Sequence, residues 1–291
     1  MRGMTIFFKT KKGLLVVFVL LFISILFAGL KYFERNLEDK VQDFVAHIER
    51  LDLNYSGISA NPLTGQIILM EPIITYGRNI VVPAQSITVQ DLAFKQGQPV
   101  RLRLKVRDID LGLFYPSGKI HREITGSGSE LTGIEAFLDY EYCHEQDRVI
   151  IKSFRVYRED LGEFCAQAGL LGLNPVTLLS TQNLFVLITS LLSLRIEYIQ
   201  AGYEDSGLIE RLAKYWNSEQ VEEYIDHIFQ DEQLRTPIKK QVFMDDPLVL
   251  KINPHDPAPV SAILLSQSMD RIQKLLNLEL TNKKANTCLY R

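Results

Sequence analysis

Hydrophobic and polar positions divide this chain into stretches of different period. Residues 13–30 read GLLVVFVLLFISILFAGL, with no charge and one hydroxyl, Ser24. A helix rising about 1.5 Å per residue needs roughly 20 apolar residues to cross a bilayer, and Tyr32 and Phe33 add interfacial rings. The pattern therefore predicts a transmembrane signal anchor over 13–33. From Glu34 to Arg50 the period becomes helical: Leu37, Val41, Phe44, Val45 and Ile48 share one face, which predicts an amphipathic helix over 34–50. Its other face is rich in acids rather than lysines, so it is expected to lie on the following sheet.

Over 51–163 the period falls to two. Leu51, Leu53 and Tyr55 alternate, and Ile67, Ile68, Leu69, Ile73 and Ile74 follow a turn at Asn61-Pro62-Leu63-Thr64-Gly65. Val100, Leu102, Leu104 and Val106 alternate with Arg101, Arg103, Lys105 and Arg107. Ile134–Tyr142 and Arg148–Tyr157 form a hairpin pair around Glu145-Gln146-Asp147. Such spacing predicts a long antiparallel meander, apolar on one face and wet on the other. Residues 164–291 read as a mixed α/β region of the same domain. Helices are expected after Ser206 and Ser218, from Thr236-Pro237 and over Ser261–Asn277, with strands at 194–199, 248–253 and 278–280. The fold class expected is α+β: an N-terminal transmembrane helix, then a mainly antiparallel β-sheet with helices packed on it, more helical in the C-terminal third.

Charge orients this arrangement. Arg2, Lys9, Lys11 and Lys12 lie in a basic tail over 1–12, and no acid occurs before Glu34. The positive-inside tendency puts that tail in the cytoplasm and the main domain outside, in the periplasm of a bacterial inner membrane. A cleavable signal peptide is the rival, with Ala28-Gly29-Leu30 a poor cleavage site. The net charge is −3 and the tail contributes +4, so the remainder carries −7. An acidic outer domain argues against nucleic acid as a partner. Residues 164–194 contain no charge, which raises a second span. Gln167, Asn174, Pro175, Gln182 and Asn183 weigh against it, and so does the brevity of Leu184–Leu194.

The chemistry-bearing residues form no catalytic motif. His47, His121, His144, His227 and His255 have no metal-ligand spacing, and no nucleophile elbow, phosphate loop or dinucleotide fingerprint occurs. No cofactor, metal or catalytic residue is assigned. Asp245, Asp246, His255 and Asp256 flank a predicted strand and carry the hydrolase alternative. Arg101, Arg103, Lys105 and Arg107 are headgroup candidates or a solvated face that discourages edge pairing. Cys143 and Cys165 can pair if the domain is extracytoplasmic, or they are two separate small apolar residues.

The strand–turn–strand around Leu63-Thr64-Gly65-Gln66-Ile67-Ile68-Leu69, after an anchor and a helix, resembles the start of AsmA-like proteins of Gram-negative envelopes. The segment Asp246-Pro247-Leu248-Val249-Leu250-Lys251-Ile252-Asn253-Pro254 is similar to the C-terminal part of bacterial envelope proteins. That resemblance implies a periplasmic sheet with an apolar face, used in envelope maintenance or lipid movement. The function expected is therefore non-enzymatic. An anchored protein would bind lipid or an envelope partner, with Ile67, Leu69, Ile74, Val89, Leu102 and Leu104 facing the lipid. A docking subunit of an envelope or secretion complex is the alternative.

Overall fold

The computed structural model describes residues 38–39, 42, 45, 51–61, 64–76, 80–95, 98–110, 132–174, 184–213, 218–229, 231–244, 246–266 and 268–282. The basic tail and the predicted anchor over 13–33 lie outside the described residues. Among the described residues, no helix is long and apolar enough to cross a membrane.

Period-two sequence dominates the folded part. Strands β1 (Leu51–Asn54), β2 (Gly57–Asn61), β3 (Gln66–Met70), β4 (Ile73–Tyr76), β5 (Ile80–Pro83), β6 (Ser86–Lys95) and β7 (Gln98–Ile109) come first. They are followed by β8 (Ile134–Cys143), β9 (Arg148–Arg158), β10 (Gly162–Leu171), α1 (Leu184–Ser193) and β11 (Arg195–Asp205). Then come α2 (Leu208–Ala213), α3 (Ser218–Ile228), α4 (Glu232–Met244), β12 (Leu248–Ile252), β13 (Ala258–Pro259), α5 (Val260–Leu264), α6 (Met269–Leu276) and β14 (Leu278–Thr281). One eleven-stranded sheet runs in the order β14-β12-β11-β10-β9-β8-β7-β6-β3-β2, with β13 beside β11, and every pairing in it is antiparallel.

A three-stranded sheet, β1-β4-β5, repeats the neighbours of β2-β3-β6. Each of these three pairs is one long strand broken at a single point. The break is set by Pro72, which has no N–H, and by Glu71 at φ 48°. Backbone bonds bridge it: Ser56 N donates to Met70 O at 3.0 Å, Glu71 N to Gln85 O at 2.9 Å and Ala84 N to Pro72 O at 2.9 Å. Further register shifts occur at Gln90/Ala93, Val106/Ile109, Asp139/Tyr140 and Ala166/Ala168. Asp91 and Asp108 take the left-handed conformation inside the first two, both at φ 53°. A bulge raises the local twist, so these devices bend the sheet strand after strand.

The expected α+β class is corrected to a mostly antiparallel β architecture with helices at its margins. The uncharged stretch 164–194 explains much of the difference. Its first part is β10, paired on both sides by β9 and β11, and among its described residues only Leu184–Ser193 is helical. Among its described residues no helix is long enough to cross a membrane. Two helices also begin elsewhere than the sequence suggests. Asp231 caps α4 through a 2.7 Å bond from Gln233 N, which leaves Pro237 inside that helix. The helix expected over Ser261–Asn277 is two, because Ser268 caps a fresh start by accepting from Arg271 N.

Near the N-terminal end of the described chain, Glu38, Asp39, Gln42 and Val45 are helical. Tyr55 Oη donates to Glu38 Oε1 at 3.1 Å, and Val45 lies against the core of the sheet. At the other end, α5 and α6 cover one face, and α4 packs on β14 and β12.

Candidate functional site

In an antiparallel sheet, residues opposite one another share a face. The register therefore allows each face to be followed across the whole sheet. One row runs Ala60, Ile67, Val89, Leu104, Leu138, Phe154, Ala166, Ala201, Leu250 and Leu280, one residue from each strand of the main path. All are apolar. The rows beside it are apolar as well: Ile58, Leu69, Ile87, Val106, Ala136, Val156, Phe164, Tyr203 and Leu248 on one side. On the other side lie Leu102, Tyr140, Ile151, Ala168, Ile199, Ile252 and Leu278. With strands about 4.8 Å apart, nine intervals give an apolar face roughly 43 Å long.

What covers this face changes along its length. At one end Ile67, Leu69, Ile87, Val89 and Val106 form a sealed cluster, with Val45, Leu53, Tyr55 and Ile74 packed against it. At the other end Ile196, Ile252, Ala258 and Leu276 form a second cluster under Val260, Ile263, Ile272 and Leu275. Between them Leu138, Phe154, Val156, Ala166 and Ala201 stay half-buried and Phe164 is 38% exposed. Among the described elements, β8, β9 and β10 make their extensive contacts only with neighbouring strands. Phe154 and Phe164 meet edge to face on the open stretch, with ring centroids 6.1 Å apart. Burial pushes the Tyr140 hydroxyl up to about 12, so this ring presents a neutral phenol to the face.

The predicted lipid-facing residues all fall on this face or its continuation, but not where it is open. Ile67 and Leu69 are each 2% exposed and Val89 is buried, while Ile74, Leu102 and Leu104 are half-buried at the margin of the same cluster. The open residues Leu138, Phe154, Val156, Phe164 and Ala166 were missed. The alternation over β8 and β9 is visible in the sequence, but it carries no sign of what lies above it.

The basic residues project from the opposite face, into a ladder of carboxylates. Arg103 Nη2 meets Asp139 at 3.0 Å and its Nη1 meets Asp91 at 3.0 Å. Lys105 meets Glu135 at 2.9 Å and Arg101 meets Glu141 at 3.7 Å. Lys152 also binds Glu141, and its hydrogen bond is the main cause of a Glu141 pKa below the usual range. Three of the four basic residues of the stripe thus face carboxylates of neighbouring strands. Arg107 stands opposite Ser86 at the strand's exposed end.

The possible Cys143–Cys165 pair does not form. Cys143 holds a free thiol and Cys165 is disulfide-bonded. Cys143 stands opposite Arg148 and Cys165 opposite Arg155, seven residues along β9. At about 3.3 Å per residue that is roughly 23 Å, far beyond disulfide reach. The hydrolase candidates are likewise apart. Asp246 precedes β12, whereas His255 and Asp256 follow it, so the strand separates them; Asp245 lies outside the described residues. Among the described residues no cluster of His, Cys, Asp or Glu could hold a metal ion. No protein-family model matches the chain, and no curated protein matches it in sequence.

Proposed function

We propose that this protein binds lipid, holding acyl chains against the open middle of its long apolar sheet face. The observation that carries the proposal is the row from Ala60 to Leu280, apolar at every strand yet, among the described residues, capped only at its two ends. An uncovered apolar surface of this length is costly in water and marks a site for an apolar partner. Extended hydrocarbon suits it better than a compact ligand, because the uncovered stretch is a long row of aliphatic and aromatic side chains rather than an enclosed cavity. The resemblance to AsmA-like envelope proteins is in keeping with this reading and adds no site residue.

The test is native mass spectrometry of the purified full chain, followed by lipid extraction. Lipid bound in stoichiometric amount to the native chain, and lost from an Ala166→Arg variant that keeps its far-ultraviolet circular dichroism, is the expected result. A lipid-free native chain would sink the proposal and shift the weight to the docking-subunit alternative.

A further inference from the structure

Cys165 is hidden on the polar side of the sheet. Its neighbours Phe164 and Ala166 belong to the apolar rows, so Cys165 faces the other way. Around it on that side stand Glu163 and Gln167 of β10, Arg155 of β9, and Gln200 and Glu204 of β11. Cys165 is nevertheless 1% exposed, while among the described elements β10 makes extensive contacts only with β9 and β11. Flanking strands close the sides of a residue and leave its outer end open. The sulfur at that outer end is disulfide-bonded.

Counting and register identify its partner. The chain has three cysteines, Cys143, Cys165 and Cys288. Cys143 is a free thiol and lies out of reach along β9, which leaves Cys288. The register brings Cys288 within range. Thr281, Val249, Gly202 and Cys165 stand opposite one another in a single row across β14, β12, β11 and β10. Three strand intervals put Thr281 roughly 14 Å from Cys165, and the seven residues from Thr281 to Cys288 extend to roughly 23 Å. Asn282 fixes where this path begins, since its Nδ2 donates to Pro237 O at 3.0 Å and to Pro247 O at 3.1 Å. Gly202, buried and directly beside Cys165 on β11, has no side chain to obstruct a crossing segment.

We infer that Cys165 and Cys288 form a disulfide that straps the C-terminal tail across β12 and β11 to the polar side of β10. The two thiols lose two protons and two electrons to a disulfide donor by thiol–disulfide exchange. One S–S bond forms in the chain, and the donor's S–S bond breaks to give two thiols. The bond encloses β11 to β14 and α1 to α6, including the α5 and α6 cover over one end of the apolar face. A loop of that length strongly restricts the unfolded chain. Such a bond persists in an oxidising compartment, in keeping with the extracytoplasmic side expected for this domain. The inference stands whether or not the apolar face carries lipid.

The test equilibrates the purified full chain, in detergent, with oxidised and reduced glutathione. Remaining thiols are blocked with N-ethylmaleimide, and the unreduced digest is mapped by mass spectrometry. The expected result is a pair of peptides joined through Cys165 and Cys288 that separates on reduction, with Cys143 outside the link. A link through Cys143, or Cys165 and Cys288 both blocked by maleimide or glutathione, would overturn the inference. Thermal unfolding supplies a second readout. Dithiothreitol is expected to lower the midpoint of the native chain, Cys288→Ser to abolish that sensitivity, and Cys143→Ser to leave it in place. A native midpoint that stays unchanged once the map shows the bond reduced would contradict a strap that holds the fold. Neither readout depends on lipid recovered from the sheet face.

Discussion

Ile67 and Phe154 occupy the same apolar row of the same sheet, yet their surroundings differ. Around Ile67 and Leu69 the face is closed by the strand break at Glu71-Pro72, by Leu53 and Ile74 beyond it, and by Val45 of the preceding helix. Around Phe154 and Phe164 the extensive contacts among the described elements are with other strands, and Phe164 remains 38% exposed. Alternation alone therefore makes either a core or a binding surface. The difference lies in whether another element returns over the face.

The largest effect that sharpens this contrast is on stability. Leu69→Ala removes a side chain with no route for water to enter and is expected to cost about 3 kcal/mol. Phe164→Ala, made on the same face where it is already open, is expected to cost about 1 kcal/mol. Urea denaturation of the two variants measures both. Equal costs would mean that the middle of the face is sealed as tightly as its end.

A second, smaller effect is on pH dependence. The folded state holds the Tyr140 hydroxyl up to about 12 against an ordinary value of 10.0, by burial. A raised folded value stabilises the fold fully below pH 10, and that stabilisation is lost as pH rises toward about 12. Denaturation midpoints of the native chain and a Tyr140→Phe variant across that window should converge below pH 10 in slope and diverge above it. Parallel curves would place Tyr140 in water.

The smallest effect belongs to the opposite face. A double-mutant cycle on Arg103 and Asp139 should give a coupling of about 0.5 kcal/mol, since the Arg103 side chain is 42% exposed. A coupling of several kcal/mol would mean that this ladder, rather than the apolar face, organises the sheet.

The sequence makes the strands of this face legible because one apolar set repeats at period two. The Ile134–Tyr142 and Arg148–Tyr157 hairpin appears as β8 and β9 within a residue of its predicted ends. The breaks at Glu71-Pro72 and Ala84-Gln85 are less legible, because β-branched residues stand close on both sides of each. β10 escapes the period-two signal for a different reason. Gly-Glu-Phe-Cys-Ala-Gln-Ala-Gly-Leu-Leu has small residues on both faces, which suits a strand crowded by two neighbours and hides its alternation. At Gly169 a Cβ would come 2.5 Å from the Tyr198 ring, so that smallness is required by packing. The basic stripe was legible as a stripe. Its partners were not, because Asp139 and Glu141 are 36 or more residues distant and meet it only through the β7–β8 register.

Site-specific photo-crosslinking tests the central claim most directly. A benzophenone amino acid is placed at Phe154 in one full-length variant and at Ser153, on the opposite face, in another. Irradiation in the expressing cells followed by intact mass measurement should give a lipid-sized adduct at position 154 and none at 153. Adducts at neither position, or equally at both, would contradict the assignment of the open apolar face as a lipid site.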